Sequence, residues 1–87
     1  MAQEYKIDVL NFSSNGSVKS DCADITFYNQ GTSNITLNNS VVIFPGSSLS
    51  LTANYNELDK TQYFFNFNYT GSGTRIDTLI VLRKIYI

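Results

Sequence analysis

Residues 63–69 read Tyr-Phe-Phe-Asn-Phe-Asn-Tyr, and this stretch decides the fold class. Every second position is aromatic: Tyr63, Phe65, Phe67 and Tyr69. Successive side chains of a β-strand point to opposite faces, so a period of two places these four rings on one face. Aromatic residues also favour strands. The stretch therefore predicts a strand with an aromatic stripe along one side.

The same period of two recurs along the chain, whereas no segment of helix length repeats every 3.6 residues. Further strands are expected at residues 5–12, 24–29, 34–38, 41–44, 49–53 and 75–87. We therefore predict an all-β fold, a small antiparallel β-sandwich or open barrel of six to seven strands. With 87 residues, the chain has room for one domain, expected to span residues 1–87.

Turn residues separate the predicted strands. Asn15 and Gly16 lie in a serine-rich stretch, which predicts a loop over residues 13–21. Pro45 and Gly46 are typical of the two middle positions of a type II turn, since Pro presets φ and Gly accepts a positive φ. Residues 54–60 are the one place where a helical turn is expected.

The last predicted strand is too long for a compact domain of this length. Thirteen extended residues span about 43 Å, whereas the domain diameter is expected to be about 30 Å. Either a bulge divides residues 75–87 into two pieces, or the end projects and pairs with a neighbouring subunit. The apolar end makes Ile85, Tyr86 and Ile87 a candidate assembly contact.

The sequence lacks the residues of common catalytic sites. It contains no histidine and a single cysteine, Cys22, so no His-based relay, zinc cluster or internal disulfide can form. Cys22 is expected to be a buried apolar group at the start of a strand, with an intermolecular disulfide as the alternative. Asp21 with Asp24, and Glu57 with Asp59, are expected to be solvated carboxylates rather than an acid–base pair. We predict no enzyme activity, cofactor or metal.

The tyrosines offer a candidate ligand platform. Rings that stack on sugars could come from Tyr28, Tyr55, Tyr63 and Tyr69. The core is the favoured place for the aromatic stripe, because Phe65 and Phe67 lie between two of these tyrosines. A protein interface is the third interpretation of the stripe.

Charge and hydropathy restrict the partners. Only 15% of the residues are charged, and the net charge is −1, which argues against nucleic acid as a partner. A neutral surface rich in Asn, Ser and Thr suits packing against copies or neighbours. The first residues show no apolar run of signal-peptide length, and no stretch has the length of a membrane helix. We therefore expect synthesis in a cytoplasm and no membrane partner.

Two segments resemble a known family. Residues 25–38 read ITFYNQGTSNITLN, and residues 42–51 read VIFPGSSLSL. Together they resemble small β-sandwich virion proteins of phages infecting Bacteroidota, in which such a strand and turn lead to an apolar strand capped by Pro-Gly. The resemblance covers about a third of the chain.

This resemblance implies a structural part of a virion, such as capsid decoration, a head fibre or a tail-associated protein. The implied partners are further copies in a homo-oligomer or other virion proteins, and no functional residue is carried over. The alternatives are a carbohydrate- or cell-surface-binding module and an immunoglobulin-like domain from a longer adhesin.

Overall fold

Eight β-strands form two four-stranded antiparallel sheets in the computed structural model, which describes residues 4–52 and 57–87. The strands are β1 (Tyr5–Phe12), β2 (Gly16–Lys19), β3 (Asp24–Asn29), β4 (Asn34–Leu37), β5 (Val41–Ile43), β6 (Ser48–Leu51), β7 (Gln62–Asn68) and β8 (Leu79–Tyr86). Sheet A has the order β1-β8-β3-β6, and sheet B has the order β2-β7-β4-β5. The predicted all-β sandwich is confirmed.

The strand pairs are nested. β1 pairs with β8, β2 with β7, β3 with β6 and β4 with β5, as though the chain were one long hairpin with its tip between β4 and β5. Two further pairs, β3 with β8 and β4 with β7, complete the two sheets. Eight strands in two sheets with this nested order form a jelly roll.

The core lies between the two sheets and contains the aromatic stripe. Tyr63, Phe65 and Phe67 alternate with exposed neighbours along β7 and are buried. The Tyr63 ring meets the ring of Phe27 from sheet A edge-on, with centroids 5.0 Å apart, a favourable aromatic geometry. The predicted one-sided stripe is therefore confirmed for these three residues, and it forms core.

β2 was not expected, because residues 13–21 were predicted to be a loop. Val18 is its one buried residue, and a single apolar position cannot produce a visible period of two. The Oδ1 atom of Asn15 accepts a hydrogen bond from the backbone N–H of Phe67 at 2.8 Å. This turn residue therefore helps to hold β2 beside β7, and the described residues contain eight strands rather than six or seven.

The last segment divides at Leu79, where β8 begins. Residues 74–78 form no strand and run along the loop after β3, where Thr32 N–H donates to the carbonyl oxygen of Ile76 at 2.7 Å. The molecule extends 53 Å along its longest axis, so the expected diameter was too small. The end of β8 pairs with β1 of the same chain, and the N–H of Ile87 donates to the carbonyl oxygen of Glu4 at 3.1 Å.

Two local predictions have different outcomes. Gly46 has a φ of 80°, and the N–H of Ser47 donates to the carbonyl oxygen of Phe44 at 3.0 Å, so the Pro-Gly turn is confirmed. The helical turn predicted for residues 54–60 is wrong over residues 57–60, and residues 53–56 lie outside the described part. Asp59 forms a β-bridge with Cys22 instead, which uses the backbone groups that a helical turn needs.

Asn29 joins the loop after β3 to the end of β5. Its side chain is fully buried, and its Nδ2 donates to the carbonyl oxygens of Ser33 at 2.7 Å and Ile43 at 2.9 Å. Its Oδ1 accepts a hydrogen bond from the N–H of Gly31 at 3.0 Å. Buried polar groups are costly unless they are paired, so this amide holds the turn after β3 against β5.

We expect Asn29→Ala to lower the free energy of unfolding by about 2–3 kcal/mol, because it leaves buried backbone groups without partners. Asn66→Ala is the matched control, since Asn66 is exposed on β7 and surface substitutions stay within about 0.5 kcal/mol. Urea unfolding of both variants measures the difference. Equal midpoints would show that the Asn29 amide has no structural role.

Candidate interaction surface

The candidate tyrosines do not share one face. Tyr63 is buried in the core from sheet B, whereas Tyr28 is on the outer side of sheet A, 37% exposed. Tyr69 follows β7, is half-buried, and donates its hydroxyl to the carbonyl oxygen of Gly73. Tyr55 lies outside the described residues. The structure thus gives no shared stacking platform for Tyr28, Tyr63 and Tyr69, the three candidate tyrosines that it describes.

Tyr63 and Asp59 form a partly buried hydrogen bond at one end of the core. The Tyr63 hydroxyl donates to Oδ2 of Asp59 at 2.7 Å, and Thr61 N–H donates to Oδ1 at 2.8 Å. Burial and this hydrogen bond raise the pKa of Tyr63 to about 12. Burial alone would raise the pKa of Asp59, but hydrogen bonds from Thr61 and Tyr63 outweigh it and hold that pKa below its usual value.

The other carboxylates considered for acid–base work are dispersed. Asp21 forms an exposed ion pair with Lys60 at 3.0 Å, and Asp24 is opposite Lys84 in the register of β3 and β8. Glu57 lies in the connection before β7 and is exposed. Within residues 4–52 and 57–87, no group of three or more His, Cys, Asp or Glu residues is placed to hold a metal ion.

The outer face of sheet A is apolar. Its exposed large side chains are Tyr5 (53%), Ile7 (55%), Val9 (61%), Tyr28 (37%) and Leu82 (37%). The register places Val9 opposite Leu82, and Tyr28 opposite half-buried Ile80. We call this surface the apolar face and define it by Tyr5, Ile7, Val9, Tyr28, Ile80, Leu82 and Tyr86. Adjacent strands thus supply a contiguous patch rather than scattered residues.

A cationic side chain lies among these apolar groups. The Nζ atom of Lys84 is 4.6 Å from the ring centroid of Tyr5 and 5.7 Å from that of Tyr86, within the range of a cation–π contact. Asp24 and Thr26 join Lys84 in the lining of an open groove beside Tyr5. Asp24 and Thr26 on β3 therefore form a polar margin, as protein interfaces commonly have, whereas Lys84 lies within the face.

The outer face of sheet B is different. Its outward positions carry mainly amides and hydroxyls: Ser17, Gln62, Asn66, Asn68, Asn34 and Thr36, with Lys19, Phe64 and Val42 among them. Phe64 is 54% exposed and Val42 is 43% exposed, but polar residues separate them in the register. The two outer faces of one sandwich thus have unlike chemistry.

The three candidate assembly residues do not share one side of sheet A. Ile85 is half-buried and packs against the core, whereas Tyr86 is opposite Tyr5 on the outer side. Ile87 is 67% exposed, and its backbone is bonded to Glu4. Of the three, only Tyr86 belongs to the apolar face.

The contribution of β1 to this face was not foreseen. Its odd-numbered residues from Tyr5 to Val9 are apolar, and then Leu10 and Phe12 are apolar at even positions. β1 pairs with β8 without a bulge, so its odd-numbered and even-numbered residues lie on opposite sides of sheet A. Both sides of β1 therefore carry apolar groups. The switch from apolar odd-numbered to apolar even-numbered residues along β1 was the sequence signal for an outward apolar surface.

A scan against protein-family models and searches of curated proteins and of solved structures found no match for this chain. The described residues contain no helix with the length and apolar character of a membrane span.

Cys22 is fully buried, and burial raises the pKa of its thiol to about 11. We expect it to resist iodoacetamide in the folded protein at pH 8 and to react on unfolding in urea, because the thiolate is the nucleophile. Mass spectrometry of timed samples measures the alkylated fraction. Rapid alkylation without denaturant would contradict the buried position and revive the intermolecular disulfide as an alternative.

Asp59 is expected to make stability depend on acid pH. Because its pKa is lower in the folded than in the unfolded state, its contribution is present above the unfolded pKa of about 4 and is lost as pH falls through the folded value. Asp59→Asn should lower stability at pH 7 and weaken the decline below pH 4. Urea midpoints from pH 7 to pH 2 test this, and parallel curves for both proteins would refute it.

Proposed function

We propose that the chain is a non-enzymatic structural component of a phage virion, as capsid decoration, a head fibre or a tail-associated protein. The observation that carries the proposal is the apolar face, through which the protein would contact other protein subunits. Large contiguous apolar patches on soluble proteins mark interaction sites. The amide-rich face of sheet B would then remain toward solvent.

The arrangement of the strands supports this setting. Jelly rolls recur in viral capsid proteins, and also in lectins and cupins. Fold alone is an association and does not assign function. Here it agrees with the sequence resemblance to small phage virion proteins, whose quoted segments correspond to β3, β4, β5 and β6.

The surface chemistry favours protein contact over sugar binding. The candidate tyrosines Tyr28 and Tyr63 belong to different sheets and point to different environments, so they do not form one stacking site. The apolar face instead combines aliphatic and aromatic groups from adjacent strands with a polar margin. This composition is typical of a protein interface.

Variants of the apolar face test the proposal. We expect Val9→Ser combined with Leu82→Ser to reduce incorporation into particles at least about tenfold, since both side chains lie in the apolar face and each lost burial weakens binding. Phe64→Ser is the matched control, because it removes an exposed ring from sheet B and should incorporate normally. Thermal melts check that all three proteins fold.

The measurement is quantitative mass spectrometry of DNA-filled particles banded in a density gradient from a lysate of the host that carries this sequence. The wild-type chain should band with the particles. Its absence from the particles, or a specific signal on a glycan array, would overturn the proposal. Normal incorporation of the double variant would show that the apolar face is not the contact.

A further inference from the structure

The outer edge of β1 is an open strand edge. β1 is at the end of sheet A and pairs with β8 on its other side, and no second strand pairs with it among the described residues. It has eight residues, whereas the strands at the other sheet ends, β2, β5 and β6, have three or four. A long edge strand presents backbone donors and acceptors to any strand of matching register.

The hydrogen bonds within sheet A show which residues of β1 direct their backbone N–H and C=O groups toward the open edge. The N–H of Ile87 donates to the carbonyl oxygen of Glu4, and the carbonyl oxygen of Lys84 accepts from Ala23 on the β3 side. In an antiparallel pair, bonded and non-bonded residue pairs alternate. Since Glu4 is bonded toward β8, the backbone groups of Tyr5, Ile7 and Val9 point away from it, to the free edge.

We propose that this edge pairs antiparallel with β1 of a second copy of the chain, in a two-fold register centred on Ile7. This inference deepens the proposed function and rests on it for its biological setting. Ile7 would then pair with Ile7 of the second copy, and Tyr5 with Val9 of the second copy. Each pair exchanges two hydrogen bonds, because all three residues direct both backbone groups outward.

The charges of β1 select this register among those that the backbone allows. Centring on Ile7 places Lys6 opposite Asp8 of the second copy, and the reciprocal pair forms by symmetry. A shift of one residue to either side of this centre places Lys6 opposite Lys6, or Asp8 opposite Asp8, which is unfavourable. A register centred on Val9 places both charges opposite apolar residues, and one centred on Tyr5 pairs only the first residues of β1.

The two charged side chains are available for these contacts. Lys6 is exposed and has no ion pair among the described residues. Both hydrogen bonds from the Arg83 guanidinium to Asp8 use Oδ2. The Oδ1 atom of Asp8 can therefore accept a hydrogen bond from the Lys6 ammonium group of the second copy. Charged side chains, Lys above all, can protect an edge strand against pairing. On β1, however, Lys6 and Asp8 have opposite signs and would attract each other across a two-fold pair.

Pairing would extend the apolar face across both copies. Tyr5, Ile7 and Val9 lie on the outer side of sheet A, and an added antiparallel strand continues the same side of the sheet. The result is one eight-stranded sheet with an apolar surface twice as wide. A two-fold pair of this kind offers a larger contact to a particle than one copy does.

Light scattering across a concentration series tests the pairing. The wild-type chain should reach twice the monomer mass, and Lys6→Glu should weaken dimerisation at least about tenfold, because it places two acids opposite each other at both symmetric positions. Lys60→Glu is the matched control, since Lys60 pairs with Asp21 away from β1, and should dimerise as the wild type does. A monomeric wild type at millimolar concentration would overturn the proposal.

Cysteine substitutions test the register. Under mild oxidation, Ile7→Cys should form a covalent dimer alone, whereas Tyr5→Cys and Val9→Cys should cross-link only when mixed, because only paired positions fall within disulfide distance. The native Cys22 is buried and serves as the unreactive background. Cross-linking of Val9→Cys or Tyr5→Cys alone would refute the register centred on Ile7.

The two proposals can fail separately. A chain that dimerises through β1 but is absent from particles would refute the virion function and retain the pairing. A chain that bands with particles but stays monomeric in solution and shows no cross-link at Ile7→Cys would refute the pairing alone.

Discussion

The placement of β8 in the middle of sheet A is the constraint on which the rest of the structure depends. β8 pairs with β1 on one side and with β3 on the other, so the chain end closes the nested hairpin. Leu79 and Val81 enter the core without exposure. Arg83 donates to Asp8 of β1 and to the carbonyl oxygens of Lys19, at 2.9 Å, and Ser20, at 3.2 Å. Through Arg83, β8 thereby contacts β2 of sheet B and also joins Asp8 and Arg83, which are 75 positions apart in the sequence.

This placement also creates the apolar face. Because β8 is apolar on both sides, its inward residues form core and its outward residues, with those of β1, form the apolar face. The same strand therefore stabilises the fold and supplies the proposed contact. Sheet B has no equivalent, since β7 alternates buried rings with mostly polar outward residues. This asymmetry gives the sandwich one apolar and one polar outer face.

Features that depend on neighbouring residues could be predicted from the sequence, whereas features that depend on contacts distant in sequence could not. The aromatic stripe, β1, β3 and the Pro-Gly turn were predictable, since period and turn chemistry are local. β2 was not, because Val18 supplies one apolar position and its partner strand is about 45 residues away in sequence. The bridge between Cys22 and Asp59 replaced the expected helical turn for the same reason. A buried amide such as Asn29 gives no sequence signal that separates it from the many exposed ones.

The all-β sandwich, the approximate bounds of most strands and the lack of histidine chemistry could be predicted from the sequence. They follow from side-chain alternation, turn residues and composition, which need no knowledge of distant contacts. The nested strand order, the identity of the core aromatic residues and the outward face of β1 became known only from the folded structure. A period of two separates the faces of a strand without orienting them. The partner strands determine which face of a strand is buried. For β1 the partner is β8, at the opposite end of the chain.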